Sequence, residues 1–142
     1  MTIEHQTTTE IDVVKAFLSA LERKETAEAI ALLDPLATYQ NVPFPAAKGR
    51  DQIARQLNGL ERQFNGFEVR YHNIAANGPV VLTERTDILT MGSVSGAFWV
   101  CGTFEVHDEK ITLWRDRFDF ADLTWSFVRG AGQALRAKLT GR

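Results

Sequence analysis

The spacing of apolar residues changes period twice along the chain. Ile11, Val14, Phe17, Leu18 and Leu21 fall on one stripe of an α-helix that Thr9 can cap. Thr26 is placed to cap a second, short helix that turns Ile30 and Leu33 inward and that Pro35 ends. Residues 37–42 read as a short strand, after which Pro43 and Pro45 force an irregular connection. Gly49 leads into a third helix with Ile53, Leu57, Leu60 and Phe64 at helical spacing. Beyond it the period falls to two, and strands are expected over 67–75, 80–89, 97–106 and 111–120. Asn77-Gly78 is a hairpin turn signal, and further turns are expected at 92–96 and 107–110. Helical spacing returns over 122–139, weakened by Gly130 and Gly132, with Asp119 and Asp122 as strand-end and N-cap residues.

This order, α then β then α, predicts an α+β fold. A strongly curved, mostly antiparallel mixed sheet would form a cone. The N-terminal helices and the C-terminal helix would enclose a deep apolar pocket, a natural small-molecule site. The 142 residues suit one domain, with 1–9 as a disordered tail. An apolar content of 44% and a charged content of 24% are those of an ordinary soluble protein.

Charge and cysteine usage narrow the classes. A net charge of -2 argues against nucleic-acid binding, which needs a basic face. No apolar run approaches membrane-spanning length and the N-terminus has no signal core, so the expected compartment is the cytoplasm. Cys101 lies in the apolar run Phe98-Trp99-Val100-Cys101 and reads as a buried, inert thiol. His5, His72 and His107 lie in unlike contexts without ligand spacing, so no metal is expected.

Three charges contradict the strand pattern around them. Arg85 and Asp87 are two apart and share one strand face. Asp116 shares a face with Trp114 and Phe118, which puts a carboxylate between two aromatic rings. A buried carboxylate costs several kcal/mol unless paired and hydrogen-bonded. Two carboxylates around one guanidinium in an apolar pocket form a candidate acid/base device. The residues alone leave a plainer reading open: an exposed Arg85–Asp87 pair, a core tyrosine at 39 and a turn asparagine at 41.

The segments Tyr39-Gln40-Asn41-Val42-Pro43, Gly49-Arg50-Asp51, Leu82-Thr83-Glu84-Arg85-Thr86-Asp87 and Ile111-Thr112-Leu113-Trp114-Arg115-Asp116-Arg117-Phe118-Asp119 occur in this order. Together they resemble the limonene-1,2-epoxide hydrolase family, within the nuclear-transport-factor-2-like (SnoaL-like) superfamily of cone folds. The resemblance implies a general base at Asp116, a general acid at Asp87, a bridging Arg85, and Tyr39 and Asn41 holding the nucleophilic water. The chain departs at Arg117, where the family commonly has tyrosine; strand alternation points that residue away from the pocket.

The implied reaction adds water to a lipophilic, cyclic or terpene-like epoxide, giving a vicinal diol without cofactor or covalent intermediate. Leu60, Phe64, Leu89, Phe98, Val100, Phe118 and Leu123 would line the substrate pocket. Family resemblance also implies a homodimer through the outer sheet face, where Trp99, Cys101 and Thr103 would lie. The fold also serves ketosteroid isomerases, polyketide cyclases and non-catalytic binding modules, and fold alone does not decide among them. An arginine between two aspartates is foreign to the isomerase pattern, and an apolar or filled cavity would mark a binding module.

Overall fold

The computed structural model describes residues 9–140. The reading of 1–9 as a disordered tail lies outside the described residues except at Thr9. That residue caps α1 (Glu10–Glu22): its hydroxyl accepts the Asp12 N–H, and the Asp12 carboxylate accepts the Thr9 N–H. In α2 (Thr26–Ala31) the cap is Glu25, not Thr26. Thr26 is the first helical residue, and its hydroxyl donates to Glu61 of the third helix at 2.9 Å.

β1 (Leu33–Val42) starts earlier than the apolar pattern suggests. It takes in Leu33 and Pro35, which were expected to close α2. The register of β1 on its neighbour skips between Leu33 and Thr38, and an irregular stretch of that kind tolerates a proline that cannot donate to the ladder. β2 (Ala47–Lys48) pairs back on β1, and Gly49, at φ 91, opens α3 (Arg50–Gln63).

Four longer strands follow: β3 (Gly66–Asn77), β4 (Val80–Met91), β5 (Val94–His107) and β6 (Lys110–Arg117). Their turns are tighter than the sequence suggests. The first is Gly78-Pro79, one residue later than the Asn77-Gly78 signal. The second contains only Gly92 and Ser93, since Val94 to Gly96 already pair with β4. The third contains Asp108 and Glu109, both at positive φ. Strand β6 stops at Arg117. Asp119 then caps α4 (Phe120–Thr140) by accepting the N–H groups of Ala121 and Asp122, so Asp122 lies in the first turn rather than at the cap.

The sheet order is β2-β1-β6-β5-β4-β3. Every pairing is antiparallel except β1 with β6. Helix α1 packs across β3 to β6. Its buried face, Val14, Phe17 and Leu18, meets Phe104 and Trp114 of the sheet; the Phe17 and Trp114 rings meet edge to face at 4.8 Å. On the opposite face Trp99 is 52% exposed and bonds the Glu84 carboxylate. Cys101 is half-buried there and free, not fully buried: it alternates with Val100 and so faces away from the core.

Helix α4 crosses the start of β5. The Phe127 ring stands 6.3 Å from that of Phe64. A β-carbon on Gly96 would lie 2.7 Å from Phe127, and one on Gly130 would collide with the Ser95 carbonyl. Gly130 is therefore the point of closest approach between helix and strand, not a weak spot in α4. Replacing Gly130 with alanine raises intrinsic helix propensity, yet it should destabilise the protein by about 1–3 kcal/mol, because the strand backbone cannot yield as a side chain would. Urea denaturation checks this; a variant as stable as the wild type would count against the close crossing.

Candidate active site

Alternation along β4 turns Val81, Thr83, Arg85 and Asp87 inward and Leu82, Glu84 and Thr86 outward. The parallel seam sets Tyr39 beside Trp114 and Asn41 beside Asp116. On the other side of β6, Gly102 of β5 stands opposite Asp116, and Gly102 is in turn opposite Thr83. Four adjacent strands thus bring together all five residues singled out from the sequence: Tyr39, Asn41, Arg85, Asp87 and Asp116 all border one cavity.

Arg85 is 1% exposed. Its Nε and Nη2 donate to the two oxygens of Asp87 at 2.8 and 3.0 Å, a bidentate pair. Nη2 also donates to Asp116 Oδ2 at 2.9 Å, and Nη1 to Thr83 Oγ1 at 2.9 Å. The indole Nε1 of Trp114 donates to the same Asp116 Oδ2 at 3.1 Å. Asp116 Oδ1 is buried without a protein partner among the described residues. The Tyr39 ring stacks on Trp114 at 3.7 Å, and Asn41 Nδ2 donates to the Tyr39 hydroxyl at 3.0 Å.

The electrostatics separate the groups. Burial raises the Asp87 carboxyl above the ordinary 3.8; the Arg85 bonds oppose this, and the neighbouring charge of Asp116 adds to it. Burial alone would lower Arg85, but Asp116 and Asp87 outweigh it, so the guanidinium stays charged. Burial, then the charge of Asp116, raises the Tyr39 hydroxyl above its ordinary 10.0, so it remains a neutral phenol.

The cavity measures about 290 Å³. All seven expected wall residues line it: Leu60, Phe64, Leu89, Phe98, Val100, Phe118 and Leu123. Tyr39, Asn41 and Phe118 also face a second opening beside Phe44, Pro45 and Gln56. Arg117 is exposed and bonds Thr103 outside the cavity, as strand alternation requires. Among the described residues no three His, Cys, Asp or Glu side chains converge as a metal site.

The sequence reading missed three parts of this arrangement. Trp114 is more than a flanking ring: its place two residues before Asp116 puts it on the same face, where its indole reaches the carboxylate. Thr83 bears the same relation to Arg85. Gly102 breaks the inward series Phe98, Val100, Phe104 because a β-carbon there would lie 2.5 Å from Arg85 Nη1 and 2.7 Å from Asp116 Oδ1.

A family model described as the limonene-1,2-epoxide hydrolase catalytic domain matches residues 8–129. The chain belongs to that family, and it is a hydrolase of that kind. Epoxide hydrolase EphG of Mycobacterium tuberculosis is 44% identical over 117 residues, covering 82% of this chain and 78% of that protein. The structure of an M. tuberculosis LEH-like epoxide hydrolase matches with a TM-score of 0.81 at 41% identity, covering 94% of this chain and 96% of that one. A putative SnoaL-like polyketide cyclase from Shewanella putrefaciens is only 10% identical but matches with a TM-score of 0.78, over 91% of this chain and 99% of that one. That likeness shows the fold alone, the nuclear-transport-factor-2-like cone.

Two outcomes follow from the geometry. Gly102→Ala should leave the fold recognisable by circular dichroism but lower turnover by about 100-fold or more, because it displaces Arg85 and Asp116 together. Asp87 binds its proton more tightly in the folded chain than the ordinary 3.8 allows. Its contribution to stability is therefore complete below that value and is lost as pH rises through the folded value. Asp87→Asn lacks this component, so its Tm should fall less than that of the wild type between about pH 4 and about pH 8. Calorimetry at both pH values checks the sign.

Proposed function

We propose that the protein adds water to a lipophilic epoxide in one step, giving a vicinal diol, with Asp116 as general base and Asp87 as general acid. The observation that carries this reading is Arg85, buried and bonded to both carboxylates, with Asp116 Oδ1 left without a protein donor among the described residues. Asp116, ionised, takes a proton from a water that Tyr39 and Asn41 also hold. The water oxygen attacks one oxirane carbon as the carbon–oxygen bond opens. Asp87, protonated, gives its proton to the departing oxygen. Each proton transfer is worth about 10²–10⁴-fold.

The ordering of the two roles rests on environment. Asp116 Oδ2 accepts from Arg85 and from the Trp114 indole, while among the described residues Oδ1 has no protein donor and is the oxygen left to take a water. Burial raises Asp87 toward the neutral acid. After turnover the proton sits on Asp116, and return past Arg85 or through water resets the site. The apolar wall suits a compact cyclic or terpene-like substrate. A homodimer through the outer sheet face would cover Trp99; a monomeric mass in solution at micromolar concentration would argue against it.

Diol formation from limonene oxide and cyclohexene oxide tests the activity. Asp116→Asn and Asp87→Asn should each lower kcat by about 10²–10⁴-fold at unchanged folding. Equal activity in Asp116→Asn and wild type would remove Asp116 as the base. A single turnover in ¹⁸O-labelled water, with enzyme in excess, should place the label in the diol. Unlabelled diol in that first turnover would mean that a carboxylate oxygen had attacked, and the one-step scheme would fail.

A further inference from the structure

The cavity has a second polar end. Besides the five site residues and the apolar wall, it is bordered by Lys24, Thr26 and Glu61. These stand at the turn between α1 and α2 and near the end of α3. Lys24 Nζ donates to the carbonyl of Asn65 at 3.3 Å, which places the ammonium where β3 begins. Gly66 is opposite Thr90, whereas Asp87 is opposite Val69. The two levels differ by three residues of strand, about 10 Å at the usual rise. Leu21, Leu57, Phe67 and Leu89 border the cavity together with these two ends.

We infer that Glu61 and Lys24 form a subsite for a hydroxyl at the end of the substrate remote from its epoxide. This inference rests on the hydrolase reading above. Glu61 uses Oε1 to accept the Thr26 hydroxyl, and among the described residues Oε2 has no such partner. The bond from Thr26, a buried residue, holds one oxygen of the half-buried Glu61 carboxylate at the cavity margin. A carboxylate accepts and cannot donate, so its ligand must bring a proton. The exposed Lys24 ammonium borders the same end, so an acceptor and a cationic donor share it. A substrate acid would meet Glu61, and a substrate amine would meet Lys24. A neutral hydroxyl satisfies both, donating to Glu61 and accepting from Lys24. Glu61 follows Leu57 by one helical turn and shares its face, so the spacing that gives α3 its apolar stripe also turns Glu61 to the cavity.

The test compares two ten-carbon terminal epoxides, one bearing a hydroxyl on its far carbon and one plain. Ten carbons span the distance between the two ends. The wild type should favour the hydroxylated substrate by about tenfold in kcat/KM, carried mainly by KM. Glu61→Leu should abolish the preference, so that the two ten-carbon epoxides are turned over with equal kcat/KM. Glu61→Gln, which keeps an acceptor for Thr26, should reduce the preference without abolishing it. A pair of four-carbon epoxides, too short to span the cavity, should show no preference. Equal turnover of the ten-carbon pair by the wild type, a preference that survives Glu61→Leu, or a stronger preference for the matching acid would each overturn the subsite. Loss of all diol formation, from limonene oxide as well, would instead overturn the hydrolase reading beneath it.

Discussion

A guanidinium without access to water must have its donors met by protein. Arg85 meets that requirement with Asp87, Asp116 and Thr83. Isolated buried charges of this kind cost several kcal/mol each, and removing one partner leaves the others uncompensated. The surrounding structure is arranged to keep the set complete. Strand β4 supplies Arg85 and Asp87 from one face, β6 supplies Asp116, and β5 stays out of the way at Gly102. The stacked rings of Tyr39 and Trp114 close one side with apolar surface while their polar atoms point to Asn41 and Asp116. Such a cluster is weak evidence for stability. Its cost is the physical reason to regard it as chemistry.

Much of this was legible in the sequence because strand alternation is rigid. Two residues apart means one face, so strand spacing alone groups Arg85 with Asp87, Tyr39 with Asn41, and Asp116 between Trp114 and Phe118. The apolar wall followed from the same rule and from helical spacing in α3. The parts that were not legible depend on what lies across a strand or helix. Gly102 looks like a gap in an apolar series until Arg85 and Asp116 are seen to occupy the space its side chain would take. Gly130 looks like a helix defect until Ser95 is placed against it. Thr26 looks like a cap until Glu61 arrives from another helix.

Boundaries failed for a related reason. Pro35 signals a helix end, since proline cannot continue one. The same property also fits a strand wherever the ladder is interrupted, and β1 is interrupted there. The turns at Gly92 and Asp108 came out shorter than expected because positive-φ residues reverse the chain in two positions. Local chemistry specified that a reversal occurs; pairing with the neighbouring strand decided where it begins.

The parallel seam between β1 and β6 has an implication for how the protein acquires its function. Asn41 and Asp116 lie far apart along the chain and meet through that seam, the sole parallel pairing among the described residues. The β3–β4–β5–β6 meander is built from neighbours in sequence and can form by local zippering. It already holds Arg85, Asp87 and Asp116, but not the groups on β1. Pairing of β1 with the β6 edge of that meander brings Tyr39 and Asn41 to the cavity and stacks Tyr39 on Trp114. The charge cluster therefore lies on strands that neighbour one another in sequence, whereas Tyr39 and Asn41 reach it only through a pairing that spans most of the chain.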